Sequence, residues 1–362
     1  VLGRTRPKGK GQNLVWISEC VLYGGLLRGD LGVVEVASRY VKSTIIVGGR
    51  SGIQHDWSYH LHGAQNQIGY GIAFATDTAR YADIFSNTVC ALSNDQIALL
   101  AGFQNEGLAW TIWRGYLDVN CLGRVVSRPG ASTNRDRLHD VAELMARADP
   151  SSREVYQNFL KRNRDGGPND LIGNRYFWRS DLMLHRARDW MVSTRMCSKR
   201  TIGAESSNDE NLKGYFTADG VTLFYRTGNE YEEIFPAWDW RRLPGTTCRQ
   251  SRPLPEMRRR LGGTTDFVGG LSHGDTGLAA LDLNRDRVLG KKSWFYLDDA
   301  VVCLGAAVRG EDDSPVATSI NQCLLRGEAL EGPGWFWHDS IGYVSPGKQK
   351  VTCTKDRQTG KR

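Results

Sequence analysis

Four short stretches hold the side chains that could do chemistry: GQNLVW (11–16), DWSYHLHGAQNQIGYG (56–71), LDVNCLGRVVSRPG (117–130) and GAESSNDENLKGYF (203–216). Each sets polar residues between glycines or aromatics, the composition of loops that line a cleft. The candidates in them are Asn13, His62, Tyr70, Arg124, Arg128 and Glu205. Together they lack a usual nucleophile and suit proton transfer beside an anion. On a uronic acid ring the C5 proton is weakly acidic, because the adjacent carboxylate stabilises a carbanion poorly. An amide such as that of Asn13 can hydrogen-bond the carboxylate and let charge spread into an enolate-like form. His62 or Tyr70 then removes the proton, and Tyr70 protonates the departing glycosidic oxygen at C4. A tyrosine with a pKa near ~10 needs help to act as a base at neutral pH. Arg124 or Arg128 would give it by favouring the phenolate.

Taken singly, each residue has a plainer role. Asn13 near a helix start reads as an N-cap, and His62 as a structural hydrogen-bonder. Tyr70 reads as packed, Arg124 and Arg128 as salt-bridging, and Glu205 as a cap or an ion-pair partner. The ensemble carries the functional reading.

The elements that must position these residues change character along the chain. Apolar spacing predicts helices over 14–29 with Gly29 as the stop, over 136–150 and over 152–163. The segment 93–118 opens with Ser93 and Gln96 in capping-box spacing and suits one long helix or two short ones. The Gly/Pro/Asn/Asp cluster NRDGGPND (163–170) reads as a linker. Beyond it, alternation predicts strands within 189–200, 220–228 and 293–308. Helices first and strands second argue for an α domain followed by a β-sheet domain.

The 362 residues have room for two domains. Eleven tryptophans and 41 glycines are an excess that suits grooves for flat, partly apolar ligands such as sugar rings. A net charge of +7 attracts polyanions, although RTRPKGK (4–10) and KDRQTGKR (355–362) look like solvated ends. No arginine-rich helix, paired CxxC or RNP-like strand supports nucleic acid as the polyanion. The eight cysteines lack metal-ligand spacing, and no disulfide pairing follows from them. Cys121 and Cys303 sit in apolar runs and read as buried thiols. No run approaches membrane-spanning length, and no signal peptide is visible in a chain whose first residue is Val.

The ensemble resembles polysaccharide lyase family 8, the lyases for chondroitin, hyaluronan and xanthan, and within it the chondroitin AC lyase group. SYHLHGAQNQIGYG is similar to that group's SYxxHGPQ-like His-to-Tyr segment, and LDVNCLGRVVSRP to its GRGxSRP motif. The long block from SKRTIGAESSNDENL to EIFPAWDWRRLPGTT resembles the family's SKRT…ESxNxENL…PVWEWxxIPGTT stretch. The resemblance spans roughly residues 11 to 325. It implies an incomplete (α/α) toroid, residues 1–165, followed by an antiparallel β-sandwich, residues 166–362, cut short near its end.

Carried over residue by residue, it implies Asn13 as the carboxylate neutraliser, His62 and Tyr70 as the proton-transfer pair, Arg124 as their electrostatic partner and Glu205 as the residue that orients them. Arg128, Asn208 and Gln65 are expected to support or contact substrate. Trp238 and Trp240, at the domain junction, are expected to stack on a sugar. The implied function is β-elimination on chondroitin or hyaluronan by a secreted or periplasmic monomer, with no membrane or nucleic-acid partner. No cofactor is required, and a structural calcium is allowed. The alternative is an impaired, polysaccharide-binding remnant. Two departures shape expectation. His62 and Tyr70 are eight residues apart, one fewer than the resemblance expects, which would turn the phenol away unless the loop between Gly63 and Gly69 absorbs the difference. The chain also begins almost at the Asn13 motif, as a fragment or a reduced homologue would.

Overall fold

The structure, a computed structural model, describes residues 6–361 apart from 134, 252, 258 and 348–350. Arg4 and Thr5 of the basic N-terminal stretch and Arg362 of the C-terminal one lie outside the described residues.

The first helix, α1 (Gly11–Arg28), ends where Gly29 turns left-handed at φ 66° and its N–H bonds back to the last turn, the stop that a glycine allows without steric cost. Helix α2 (Leu31–Lys42) starts at once, capped by Asp30 accepting from the Val33 N–H at 3.1 Å. It closes on α1 because Gly25 has no side chain. A Cβ there would stand 3.0–3.1 Å from Val33 and Val34. The joint buries Val21, Leu22, Val34, Ala37 and Val41 against Tyr81 and Phe85 of α3 (Ile68–Phe85). The stretch 56–71 is thus part loop and part helix, its IGYG forming the first turn of α3.

Helix α4 (Asn94–Gly102) opens with the expected capping box of Ser93 and Gln96, but no helix continues to 118. The backbone widens to a π-turn over Phe103–Gly107, tightens to a 3₁₀ turn over Leu108–Thr111, and ends in a hairpin pairing Ile112–Trp113 with Tyr116–Leu117. The cause is Trp57. A Cβ on Gly102 would meet its ring at 2.4 Å, and one on Gly107 would meet its carbonyl oxygen at 2.4 Å. The two glycines that admit Trp57, Gly102 its indole and Gly107 its backbone carbonyl, are therefore also where the regular helix gives way. The hairpin turn takes positive φ at both Arg114 and Gly115, as a two-residue connection of matching twist requires. Helices α5 (Asp136–Ala148) and α6 (Arg153–Asn163) complete the helical part. No helix among the described residues is long and apolar enough to cross a membrane.

From residue 173 the regular elements among the described residues are antiparallel strands, apart from one 3₁₀ turn at Gly214–Phe216. One four-stranded sheet runs Gly173–Phe177, Leu182–Arg186, Met191–Arg195, Val221–Tyr225. A second runs Val268–His273, Thr276–Arg285, Val288–Tyr296, Val301–Gly310. They face one another through Met183, Val192 and Met196 on one side and Leu281, Leu283, Val288 and Trp294 on the other, a sandwich core built from alternate residues of each strand. The segment 293–308 divides into two strands at the Asp298–Asp299 turn. Cys121 is buried as expected, whereas Cys303 is exposed on the last strand of the second sheet, and all eight cysteines are free.

Three buried polar residues, Arg186, Asp118 and Asn120, tie the helical part to the sandwich. Arg186, fully enclosed, donates to the carbonyls of Trp110 (3.1 Å), Ile112 (2.7 Å) and Leu171 (3.0 Å) and lies over the Trp113 ring. It thereby satisfies the carbonyls left free where the 108–111 turn ends. Asp118 accepts from Ser193 Oγ (2.7 Å) and Tyr225 OH (2.9 Å) of the first sheet. Asn120 Nδ2 donates to Ser193 Oγ (2.9 Å) and the Val221 carbonyl (3.1 Å). The loop that follows, with Arg124 in it, is therefore anchored to the sandwich and not only to the helices.

Candidate active site

Glu205 is the centre. It lies on the strand Ile202–Ser206, which pairs with Arg259–Gly262, and is 3% exposed. A carboxylate at that depth must have its charge answered, and four side chains do so. His62 Nδ1 lies at 3.1 Å and Arg124 Nη1 at 3.2 Å from Oε1. Gln67 Nε2 donates to Oε2 at 2.7 Å and Gln65 Nε2 at 3.3 Å. His62 Nδ1 thus faces both the Glu205 carboxylate and, at 3.4 Å, Arg124 Nη1, while Nε2 has no partner among the described residues. His62 itself takes a left-handed backbone, φ 58°, uncommon for a side chain of its size.

Arg124 sits in the 3₁₀ turn Gly123–Ser127 and is fully engaged. Nε donates to Glu210 Oε2 (2.9 Å), Nη1 to Glu205 (3.2 Å), and Nη2 to the Tyr70 hydroxyl (2.9 Å). Burial works against its charge, but Tyr70 and the two glutamates outweigh that and raise it above the ordinary arginine range. Glu210 is shared with the half-exposed Arg128, whose Nε and Nη2 bond it at 2.5 and 3.1 Å. Burial alone would raise the Glu210 carboxyl, yet the Arg128 and Arg124 bonds hold it below its usual value. Two arginines and two glutamates thus cancel, and the third Arg124 nitrogen, Nη2, bonds a phenol.

Tyr70, in the first turn of α3, meets the His62 ring edge-on with centroids 5.2 Å apart. The eight-residue spacing does not turn the phenol away. The loop absorbs the difference at Gly63, where φ is 148° and a Cβ would stand 2.6 Å from Ile202. The loop is pinned by Ile202 N–H to the Ala64 carbonyl (2.9 Å) and by Gln67 Oε1 on the Leu61 N–H (3.1 Å). Asn13 occupies the first turn of α1, inside the helix and not at its cap, which is Lys10. It stands one turn before Trp16, whose ring packs against Tyr70 with centroids 6.3 Å apart.

His62, Tyr70, Arg124, Arg128 and Glu205 therefore converge. Gln65 is buried, its amide donating to Glu205 and its oxygen accepting from Arg195 at 2.8 Å. That makes it a support for Glu205 and not a substrate contact. Asn208 is exposed in the turn after the Glu205 strand, at φ 57°. Trp238 and Trp240 are corrected. Each is 7% exposed, and their N–H groups bond the carbonyls of Gln322 and Phe235. With Asn120 and Arg195 they line a cavity of ≈ 20 Å³, room for about one water and not for a sugar. Gln67, Glu210 and Arg195 were missed, although Gln67 and Glu210 lie inside the quoted polar stretches. Only the fold reveals that they aim inward. For a structural calcium, no group of three His, Cys, Asp or Glu side chains among the described residues could hold a metal ion, so no residues of this chain are assigned to one.

Tyr59 and His60, next to His62 in sequence, point the other way. His60 is buried between Ser58 Oγ (3.2 Å) and Ser180 Oγ (2.8 Å). Burial first, and Arg179 second, push it down to about 3. Unfolding restores a value near 6.5, so the unfolded chain binds the extra proton between those values. Stability is therefore complete above about pH 6.5 and falls by about 1.4 kcal/mol per pH unit below it. Denaturant midpoints measured from pH 7 to 4.5 are expected to drop accordingly, and His60→Gln to flatten that slope. An unchanged slope would show that His60 is not the group responsible.

The comparisons agree with this geometry. Residues 3–162 match the model of the polysaccharide lyase family 8 N-terminal alpha-helical domain, and residues 172–362 that of the family's super-sandwich domain. Chondroitinase-AC of Pedobacter heparinus is 32% identical over 99% of this chain and 54% of its own length. Hyaluronate lyase of Thermasporomyces composti is 31% identical over 52% of this chain and 28% of its own. A solved chondroitinase AC lyase, studied with oligosaccharides bound, superposes with a TM-score of 0.86 at 29% identity, over 93% of this chain and 53% of that one. The chain spans about half the length of chondroitinase-AC, the 54% quoted above. An α-helical part followed by an antiparallel sandwich, matched by both of the family's domain models, makes this chain a member of polysaccharide lyase family 8.

Proposed function

We propose that this protein cleaves an acidic polysaccharide containing uronic acid, chondroitin or hyaluronan first among them, by β-elimination. The observation that carries this reading is the Tyr70 hydroxyl held 2.9 Å from Arg124 Nη2 and beside His62, whose Nε2 has no partner among the described residues. Most glycoside hydrolases use a carboxylic acid and a carboxylate flanking the bond, whereas here both glutamates are paired with arginines.

In the proposed reaction Asn13 hydrogen-bonds the uronate carboxylate and stabilises the charge that develops there. The C5–H bond breaks and its proton passes to the Tyr70 phenolate or to His62 Nε2. The electron pair forms the C4=C5 double bond as the C4–O bond breaks, and the Tyr70 hydroxyl gives its proton to the leaving oxygen. Arg124 serves both stages by donating to whichever form of the phenol is present, and Glu205 holds His62 and Arg124 in register. No cofactor enters this scheme. The charge of +7 favours an acidic polymer. Such polymers are met outside the cytoplasm, so we read the protein as secreted or periplasmic and as acting as a monomer.

The test is ultraviolet absorbance over time with purified protein on chondroitin, hyaluronan and xanthan separately. A steady rise from the C4=C5 chromophore, which hydrolysis cannot produce, is expected on at least one. Binding without any rise would replace this reading by that of a binding remnant.

A further inference from the structure

Trp16, Trp178, Trp335 and Trp337 are the tryptophans with open ring faces, Trp16 being 42% exposed. Of these, Trp16 is the one in ring contact with a residue of the proton-transfer cluster. Its centroid lies 6.3 Å from that of Tyr70, with the planes inclined at 49°. It lies three positions after Asn13 on α1, so the two share a helix face about one turn apart.

Asp77 on α3, itself 7% exposed, lies close enough to this indole to feel its polar edge, accepts from Gln12 Nε2 at 2.5 Å and pairs with Arg80 at 3.3 Å. A tryptophan set against Tyr70 on one side and 42% exposed has apolar surface left for something flat. Leaving such a face to water forgoes burial that an indole would otherwise gain. A pyranose offers the complement, an apolar face of C–H groups with its carboxylate at the rim. Laid on Trp16, the ring would carry that rim toward Asn13, one helical turn away.

Resting on the function proposed above, we infer that Trp16 is the floor on which one sugar ring of the acidic polysaccharide stacks, set beside the Tyr70 hydroxyl. It is a binding and positioning residue, distinct from the groups that move protons.

The experiment is calorimetric titration of chondroitin and hyaluronan oligosaccharides into the chain carrying Tyr70→Phe, so that ligand is not consumed, with and without Trp16→Ala or Trp16→Phe. Trp16→Ala is expected to weaken binding about tenfold and Trp16→Phe about threefold, in line with the worth of one aromatic contact. On the otherwise unaltered chain, Trp16→Ala is expected to raise KM more than it lowers kcat. Equal binding with and without Trp16→Ala, in a variant whose circular dichroism matches the parent, overturns the inference while the lyase reading stands. Failure of the Tyr70→Phe chain to bind either polymer overturns both.

Discussion

Tyr70→Phe is expected to lose about 10²–10⁴ in kcat, the range by which a positioned acid–base group accelerates reaction, while binding its polysaccharide within about threefold of the parent. The substitution removes one oxygen. It keeps the ring that packs edge-on to His62 and tilted against Trp16, so the cleft wall should be unaltered. What disappears is the acceptor of the 2.9 Å bond from Arg124 Nη2 and, in the proposed reaction, the proton donor to the leaving oxygen. Single-turnover ultraviolet kinetics together with calorimetry would measure the two effects separately. A Phe variant retaining more than about a tenth of kcat would move the acid–base role to His62. The neighbours in sequence offer no substitute, since Tyr59 and His60 are buried away from the cleft.

Arg124→Lys is the second large effect, with kcat/KM expected to fall about 10²–10³-fold, the usual loss when one preorganised donor is removed. The change preserves charge but not geometry. An ammonium cannot meet Glu210, Glu205 and Tyr70 together, as Arg124 does through Nε, Nη1 and Nη2. Without its donor the Tyr70 hydroxyl is no longer held in place, so the loss should fall on kcat more than on KM. Glu205 keeps Gln65, Gln67 and His62, and stability should therefore fall by only about 1–3 kcal/mol in denaturant titration. The split between kcat and KM is the discriminating readout. A Lys variant that loses stability but keeps kcat would make Arg124 a structural tie between the glutamates and nothing more.

The two effects concern residues readable from the sequence, and the reason is chemical. Asn13, His62, Tyr70, Arg124 and Glu205 lie in short polar stretches bounded by glycine and aromatics, where little but a cleft explains the composition. The capping box at Ser93, the stop at Gly29 and the helix-to-strand change after the 163–170 cluster were legible for a similar reason: they are set by local backbone chemistry. Burial and long-range contact were not local and were not legible. Trp238 and Trp240 look like a sugar platform until the sandwich closes over them and takes their N–H groups for its own carbonyls. The 93–118 segment carries a helical pattern to its end, yet Trp57, some fifty residues earlier, needs the room that Gly102 and Gly107 leave. The short His62–Tyr70 spacing reads as misdirecting the phenol until Gly63 is found packed on Ile202, a residue of the other domain.

By itself, then, the sequence determined which side chains were available for proton transfer and that helices would precede sheet, because residue type and periodicity act over a few positions. Only the tertiary structure decided which polar groups face one another. Glu205 and Glu210 reach Arg124 across more than eighty residues of chain, and a charge at that depth is tolerable only where folding brings its partners within hydrogen-bond distance.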